Sequence, residues 1–396
     1  MGKLAFEVMN NWEKTILENV LAKIIGGGTP SRNVSKYWDG DIAWASVKDM
    51  KEGVYKLLST EEHISKEGLN ESASNLLPID TIIVSTRMGL GRCFKTKIPV
   101  AINQDLKGLI PNEKINNDFL LWFYVFKGKE IEFLGSGTTV KGIRLDLLKN
   151  IEINLPPLPT QRRIAAILSA YDELIENNSR RIKILEEMAR MIYQEWFVKF
   201  RFPGHKQAKF VESPLGMIPA GWEVKKLGDV VSLEYGKGLK ADQRKPGKYL
   251  VYGSSGIVGF HNEYLVEKPG IIVGRKGNVG SVFWSDYNFF PIDTVFYVKT
   301  KISLKYVYFN LQTQNFINND AAVPGLNRNQ AYLLPFLVPE TKLLACFELE
   351  LEPIFTLLKN LRKHNELLKQ TRDMLLPKLI SGEIDVSDLD IPIEER

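Results

Sequence analysis

The sequence predicts an α+β protein with two globular domains of mixed α/β structure, separated by two long antiparallel helices that pack like a coiled coil. Three observations predict this architecture. Motifs of the first half return in the same order in the second half, a proline-marked boundary closes each copy, and a long stripe of apolar residues at helical spacing follows each boundary. The repetition indicates a pseudo-twofold internal repeat.

The two globular domains are expected at residues 1–158 and 221–339. Each opens with a Trp-Glu pair and later carries an Ile-Ile-Val run, the signal of a buried strand, which leads into a glycine turn. Each then reaches a second glycine loop before its boundary. The matching segments are 12–13 and 222–223, 82–91 and 271–280, 102–105 and 291–294, and 140–144 and 323–327.

The two long helices are expected at residues 159–201 (central) and 340–382 (C-terminal), after the boundaries at 155–159 and 337–339. Their apolar positions recur in alternating steps of four and three, which is the 3.5-residue period of a helix-pair seam. The residues predicted to form the helix-pair interface are Ile164, Leu168, Ile175, Ile182, Leu185, Ile192, Leu351, Ile354, Leu358, Leu361, Leu368 and Leu375.

Two asparagines and two prolines interrupt these stripes. Asn178 and Asn365 occupy seam positions, where a buried Asn can fix the register of a helix pair; the alternative places them in water at the edge of the seam. Pro353 is expected to kink the second helix or to mark its true start, and Pro377 to end it.

The helix pair also predicts a spacing function. A helix over residues 160–198 would be about 58 Å long at 1.5 Å per residue, and one DNA turn is about 34–36 Å. The pair could therefore hold two domains at least one turn apart on a duplex. A linker is expected at 202–220 and an acidic tail at 383–396. A coiled-coil scaffold with unrelated globular ends is the alternative.

Composition limits the compartment and the partners. Cys93 and Cys346 are the only cysteines, no apolar run is long enough to span a bilayer, and the first residues do not form a signal peptide, so a cytoplasmic protein is expected. The net charge is +5, and residues 202–339 hold 16 Lys and Arg against 10 Asp and Glu. That excess fits a nucleic-acid surface, and it also lies within ordinary scatter.

The glycine-rich loops combine backbone flexibility with side chains that can contact DNA. Arg and Lys can bond guanine, Asn and Gln can bond adenine, and Ser and Thr can contact phosphate or base. Arg87 and Arg275, which follow the matching strands, are the strongest candidates. The predicted DNA-binding residues are Thr29, Ser31, Arg32, Ser46, Lys48, Arg87, Arg92, Asn103, Gln104, Lys141, Arg144, Lys237, Lys240, Ser254, Ser255, Arg275, Lys276, Asn278, Asn327 and Arg328.

The sequence predicts neither catalytic residues nor a metal site. It contains no P-loop, no Asn-Pro-Pro-aromatic signature of adenine methyltransferases, and only four scattered histidines. A single-chain nuclease is the enzyme alternative, with Glu223 and Lys225 as half of a site. Its candidate Asp293 lies downstream, which is the reverse of the usual order.

These motifs together resemble the specificity subunits of type I restriction–modification enzymes, over nearly the whole chain. The resemblance rests on Gly-Gly-Thr-Pro-Ser at 27–31 with 37–44, on the boundary at 155–165, on 251–265 and on the closing 376–384. It implies two target-recognition domains, separated by conserved helices, that read double-stranded DNA without catalysis. The implied target has two specific halves around a non-specific spacer.

The resemblance also implies partners. Two methyltransferase (modification) subunits would dock on this chain, with restriction/translocase subunits in the full complex. S-adenosylmethionine, and ATP and Mg²⁺ for restriction, would be held by those partners and not by this chain. Because the Gly-Gly-Thr-Pro loop of one domain and the Tyr-Gly-Ser-Ser-Gly loop of the other differ, an asymmetric target is expected.

Overall fold

The computed structural model describes residues 12–137, 141–316 and 325–391. The chain divides into two compact units: unit 1 combines Met1–Asn177 with Asn365–Arg396, and unit 2 is Asn178–His364. Two long helices, Leu158–Tyr193 (long helix 1) and Thr341–Ile380 (long helix 2), each contribute one segment to either unit.

The strands of unit 1 are β1 (Glu13–Ile16), β2 (Leu21–Gly26), β3 (Trp38–Ala45), β4 (Lys56–Leu57), β5 (Glu62–Ile64), β6 (Leu76–Leu77), β7 (Ile82–Ser85), β8 (Cys93–Thr96), β9 (Val100–Ile102), β10 (Leu106–Pro111) and β11 (Glu152–Leu155). They form a five-stranded sheet in the order β2-β10-β7-β8-β4, a four-stranded sheet in the order β5-β3-β9-β6, and the pair β1-β11. All four residues of β7 are buried, as its apolar run predicts.

The core of unit 1 joins these sheets to helices. Its shorter α-helices are Lys66–Asn70, Asn117–Leu134 and Leu145–Lys149. The helix Asn117–Leu134 begins at Asn116, whose side chain accepts hydrogen bonds from the amides of Asp118 and Phe119. Its buried Trp122 shares one apolar cluster with Ile164 of long helix 1 and Leu379 of long helix 2. Both long helices therefore complete the unit 1 core.

The strands of unit 2 are β12 (Phe210–Ser213), β13 (Gly216–Pro219), β14 (Glu223–Lys226), β15 (Val231–Tyr235), β16 (Tyr249–Gly253), β17 (Gly256–His261), β18 (Gly270–Gly274), β19 (Val282–Ser285), β20 (Phe289–Pro291), β21 (Val295–Thr300) and β22 (Pro335–Val338). They form the sheets β15-β21-β18-β19 and β17-β16-β20 and the pairs β14-β22 and β12-β13.

The core of unit 2 is rich in aromatic rings. Its shorter α-helices are Leu227–Val230, Leu304–Thr313 and Arg328–Tyr332. Phe197 packs edge-on against Tyr306 and Phe347, with ring centroids 4.7 and 4.8 Å apart. Tyr193 of long helix 1 belongs to the same cluster as Phe347 of long helix 2, so the cluster joins both long helices to the domain, as Ile164 and Leu379 do in unit 1.

The internal repeat is confirmed by strand pairing. Glu13 of β1 pairs with Leu155, the last residue of β11, and Glu223 of β14 pairs with Val338, the last residue of β22. Each Trp-Glu opening therefore pairs with the strand that precedes a long helix. The predicted α+β fold class, with two mixed domains and long helices, is confirmed.

The long helices run antiparallel within each unit. In unit 1, the side-chain amide of Asn365 donates to the carbonyl of Ile175 at 3.2 Å, and Arg372 pairs with Asp172 at 3.0 Å. In unit 2, the ring centroids of Phe347 and Tyr193 lie 6.4 Å apart, and Arg362 bonds Glu186 at 2.7 Å. Residue numbers that rise along long helix 2 thus meet numbers that fall along long helix 1.

The predicted seam residues are all at least partly buried. Asn365 is buried and bonded to the other helix, rather than lying in water, while Asn178 is half-buried. Buried seam residues are Ile164, Leu168, Ile175, Leu351, Leu358 and Leu361; half-buried ones are Ile182, Leu185, Ile192, Ile354, Leu368 and Leu375.

The expectations that Pro353 marks the start of the second helix and that Pro377 ends it are wrong, whereas a kink at Pro353 stays a prediction. Long helix 2 begins at Thr341, continues through Pro353 and Pro377, and ends at Ile380. Both prolines are exposed, while neighbours such as Phe355 and Leu379 are buried. Burial of those neighbours outweighs the hydrogen bond that each proline removes.

The segments expected as linker and tail contain ordered structure. Strands β12 and β13 form a hairpin inside residues 202–220. In the tail, Val386 is buried in the unit 1 core, and the backbone carbonyl of Leu389 accepts a hydrogen bond from Arg163 at 2.9 Å. Long helix 1 ends at Tyr193 and passes into a π-helical turn, Gln194–Val198.

Candidate nucleic-acid interface

In unit 1, the predicted loops meet along one edge, here called edge 1: residues 26–32, 85–92, 102–105 and 141–144. The amide of Gly28 donates to the carbonyl of Ile102 at 3.0 Å, and that of Thr86 donates to Asp105 at 2.8 Å. The amide of Met88 bonds the carbonyl of Lys141 at 3.2 Å. Backbone bonds therefore bring loops that are distant in sequence into one surface.

In unit 2, edge 2 is the corresponding set: residues 235–240, 274–281, 291–294 and 325–328, with the turn at 254–255. The amide of Lys237 donates to Pro291 at 3.0 Å, that of Arg275 to Thr294 at 2.9 Å, and that of Leu326 to Arg275 at 2.8 Å. The Ser281 hydroxyl donates to the carbonyl of Ser254 at 2.8 Å and so attaches the turn.

The backbone bonds fix the equivalence between the two edges. The amide of Thr86 bonds Asp105 just as that of Arg275 bonds Thr294, and Arg87 forms a β-bridge with Gly142 just as Lys276 does with Gly325. Arg87 therefore occupies the position of Lys276, and Arg275 that of Thr86. The two arginines that follow matching strands lie one position apart in the repeat.

The first loop of each edge contains a glycine with no room for a side chain. A Cβ on Gly27 would lie 1.9 Å from the carbonyl oxygen of Ile102, and one on Gly236 would lie 2.1 Å from that of Ile292. Gly238, two residues further along edge 2, has nothing within 4 Å of its Cβ position. Close backbone packing, and not flexibility alone, therefore requires Gly27 and Gly236.

We expect Gly236→Ala to destabilise the protein by about 1–3 kcal/mol, because the new methyl group forces edge 2 apart. Gly238→Ala is the matched control in the same loop and should leave stability within about 0.5 kcal/mol of wild type. Urea denaturation of the full chain measures both. Equal midpoints for the two variants would show that the loop tolerates the methyl group without rearrangement.

Several predicted residues of unit 1 have exposed side chains on or near edge 1. The hydroxyl of Thr29 donates to Oε1 of Gln104 at 2.5 Å. Arg87 is 59% exposed and lies 3.8 Å from the carboxylate of Asp105. Lys48 and Lys141 are also exposed, and so is Ser31, whose carbonyl accepts from Trp38. The backbone contacts of edge 1 therefore bring Thr29, Gln104 and Arg87 onto one surface.

Other predicted residues of unit 1 have structural partners. Ser46 caps a short 3₁₀ helix and Asn103 is buried, where its side chain accepts a hydrogen bond from the amide of Asp105. Arg92 donates to the carbonyl of Met50 at 3.1 Å. Arg144 makes a two-bonded pair with Asp146, at 3.0 and 2.9 Å. Their polar atoms already have protein partners.

Arg32 is the most strongly paired arginine of this set. Its guanidinium makes two hydrogen bonds to the carboxylate of Glu62 and lies 3.7 Å from the ring centroid of Trp38. The hydrogen bond from Arg32 lowers the pKa of Glu62. Direct base contact by Arg32 would require this pair to open.

In unit 2, the predicted residues also fall into two groups. Asn327 caps the helix Arg328–Tyr332, with its side chain accepting from the amides of Asn329 and Gln330, and Ser254 is half-buried. Arg275 and Arg328 are half-buried beside the ring of Tyr235. The remaining predicted residues are exposed, as Asn327 is: Lys237, Lys240, Ser255, Lys276 and Asn278.

Sequence reasoning missed two residues, one within edge 2 and one directly beside edge 1. Tyr235 is the last residue of β15, and Lys107 of β10 donates to the carbonyl of Gln104 at 3.1 Å. Burial lowers the pKa of Lys107. Both residues lie within strands, so a search restricted to glycine loops could not find them. Their position in the sequence, directly beside a predicted loop, is the feature that could have identified them.

Over the described ranges, no cluster of three or more His, Cys, Asp or Glu side chains is arranged to hold a metal ion. No helix in the same ranges is long and apolar enough to cross a membrane. The edges instead present hydroxyl, amide, guanidinium and ammonium groups, which are the groups that bond base edges and phosphates.

Comparison with known proteins connects this arrangement to a family. The family model described as "Type I restriction modification DNA specificity domain" matches residues 9–187 and 219–333. The type I restriction enzyme MjaIX specificity subunit of Methanocaldococcus jannaschii is 27% identical, over 97% of this chain and 96% of that protein. The EcoR124I/EcoR124II specificity subunit of Escherichia coli is 30% identical, over 46% of this chain and 47% of its own length.

A solved structure shares the fold. The crystal structure of the S subunit of a type I restriction–modification system from M. genitalium has a TM-score of 0.55. The match covers 95% of this chain and 96% of that one at 18% identity. At that identity the likeness concerns the fold alone.

Proposed function

Since the chain belongs to the family of type I restriction–modification DNA specificity subunits, we propose that it reads a two-part DNA target without catalysing a reaction itself. One observation carries the proposal: the two edges share a backbone framework but carry different side chains. Edge 1 has Thr29, Gln104 and Arg87, whereas edge 2 has Arg275 and Lys276. A shared backbone framework with different side chains suits two domains that recognise half-sites of different sequence.

Each edge is proposed to enter the major groove of one half-site, where base pairs present distinct donor and acceptor patterns. The exposed lysines would contact phosphates and position the protein. The helix pair would set the distance between the halves. Because edge 1 and edge 2 differ, the target would be asymmetric.

Long helix 1 carries a feature that suits the proposed docking of two methyltransferase subunits. On long helix 1, Ile184, Met188 and Met191 are 57%, 46% and 57% exposed, and their spacing of four and three residues places them on one face of the helix. Exposed apolar side chains grouped on one element mark protein interfaces. S-adenosylmethionine, and ATP and Mg²⁺ in a complex with restriction/translocase subunits, would be held by the partners in the cytoplasm.

Mapping N6-methyladenine in the genome of a host that expresses this chain with its methyltransferase partner tests the proposal. We expect methylation at one motif with two unlike specific halves and an unspecified spacer between them. A host that expresses the partner alone is the control and should lack the motif. A continuous motif, two identical halves, or a motif independent of this chain would contradict the proposal.

Arg87→Ala and Arg275→Ala should each weaken binding to the mapped target by about 1–3 kcal/mol, because each removes a guanidinium that can bond a base edge. Arg201→Ala, an exposed arginine paired with Glu195 outside both edges, is the matched control. Band shifts of the assembled complex on target and scrambled duplexes measure the effect. Unchanged sequence preference in both edge variants would remove these arginines from the interface.

A further inference from the structure

Edge 2 contains an aromatic ring that contacts two guanidinium groups. Tyr235 is 46% exposed at the end of β15. The guanidinium carbon of Arg275 lies 4.9 Å from its ring centroid, and that of Arg328 lies 4.8 Å away. The ring itself packs at 5.0 Å on Phe296, which is fully buried. The Tyr235 ring is therefore held in position by the core and packs against both arginine side chains.

Each arginine is also anchored by a backbone carbonyl. Arg275 Nη1 donates to Asp293 at 3.0 Å, and Arg328 Nη1 donates to Leu233 at 3.4 Å. A guanidinium has five N–H donors, so one backbone bond orients each group without using all of its donors, although Nε of Arg328 is itself buried. Within the described part of the chain, neither arginine forms an ion pair with a carboxylate.

Edge 1 lacks this arrangement. Strand register places Gly26 where edge 2 has Tyr235, since Gly26 pairs with Lys107 as Tyr235 pairs with Phe296. The exposed arginines Arg32 and Arg144 are each bound to a carboxylate by two hydrogen bonds. Of the two edges, as far as the structure describes them, only edge 2 therefore holds two guanidinium groups on one ring with no carboxylate bound to either.

We propose that Tyr235 is a positioning residue that holds Arg275 and Arg328 to read guanine in the half-site bound by unit 2. This inference rests on the proposed function and names the base for one half. A planar guanidinium can donate two hydrogen bonds to O6 and N7 of guanine, and that pairing needs a fixed orientation. Stacking on the Tyr235 ring limits the rotation of each arginine side chain and so supplies that fixed orientation.

Removing the ring tests the proposal in the intact complex. We expect Tyr235→Ala to lower affinity for the mapped duplex about tenfold and to relax methylation at a G·C pair in one half of the motif only. Tyr235→Phe keeps the ring and should keep both properties. Tyr264→Ala removes a ring that is 40% exposed elsewhere in unit 2 and should behave as wild type.

A duplex with 7-deazaguanine at the relaxed position separates base reading from phosphate contact, because it lacks the N7 acceptor. Wild type should bind it about tenfold more weakly than guanine, whereas Tyr235→Ala should bind both alike. An unchanged motif in Tyr235→Ala, or uniformly weaker binding with an intact motif, would overturn the inference. Failure of the proposed function is seen separately, as the absence of a two-part motif in wild type.

Discussion

Arg372→Ala should lower the free energy of unfolding by about 3–5 kcal/mol, because it leaves a buried carboxylate without its counter-charge. Arg372 Nη1 lies 3.0 Å from Asp172, and their side chains are only 3% and 11% exposed. The guanidinium carbon also lies 5.0 Å from the ring centroid of Tyr55 and 5.8 Å from that of Trp122. One side chain thus joins both long helices to the domain of unit 1.

The loss of unfolding free energy caused by Arg372→Ala should depend on pH. Burial raises the pKa of Asp172 above its ordinary value, and Arg372 opposes that shift. A folded-state pKa above the unfolded value means that the native state binds the proton more tightly, so stability falls as pH rises through that interval. Without Arg372 the pKa of Asp172 rises further. The difference between variant and wild type should therefore be largest at neutral pH and shrink as acid protonates Asp172.

Urea denaturation of the full chain over a range of pH values measures this effect. Lys378→Ala is the matched control: it lies on the same helix, is 49% exposed and pairs with Glu383 at 3.3 Å. An exposed pair contributes about 0–1 kcal/mol. If Arg372→Ala and Lys378→Ala unfold at the same urea concentration, the buried pair does not hold the helices to the domain.

The fold could be predicted because its signals are local and repeated. The apolar runs before residues 87 and 275, the Trp-Glu openings and the alternating steps of the long helices each encode an element within a few residues. The exceptions, Pro353 and Pro377, are cases in which burial of neighbouring side chains outweighs a local propensity. Such burial depends on contacts from distant parts of the chain, which a local pattern does not contain.

The site was predicted in outline and not in detail. Glycine loops do form both edges, but residue type alone could not separate the exposed Gln104 from the buried Asn103 beside it. The pairing of Arg32 with Glu62 joins residues that are 30 positions apart. Likewise, Arg372 pairs at 3.0 Å with Asp172, which lies 200 positions away in the sequence. Partners distant in sequence decide which polar groups remain available to DNA.

The largest functional effect is expected from lengthening the helix pair. Inserting one seven-residue repeat after Asn177, and another between His364 and Asn365, adds about 10 Å to each helix and preserves the seam period. Both insertions fall at the boundary between the two units, so the contacts within each unit are kept. At 3.4 Å per base pair, we expect the spacer of the target to lengthen by about three base pairs.

Either insertion alone is the control for this design. It lengthens one helix and not the other, so the contact of Arg362 with Glu186 in unit 2 and that of Asn365 with Ile175 in unit 1 cannot both be kept, and specific methylation should be abolished. Folding of every variant is checked by its urea midpoint, so that loss of methylation is not mistaken for loss of spacing.

The methylation map of the doubly lengthened chain with its methyltransferase partner tests most directly whether the helices set the spacing of the target. We predict the same two half-sites, with a spacer that is about three base pairs longer. Methylation of the original motif with its original spacer, by a folded double-insertion variant, would show that the helices do not set the distance between the half-sites.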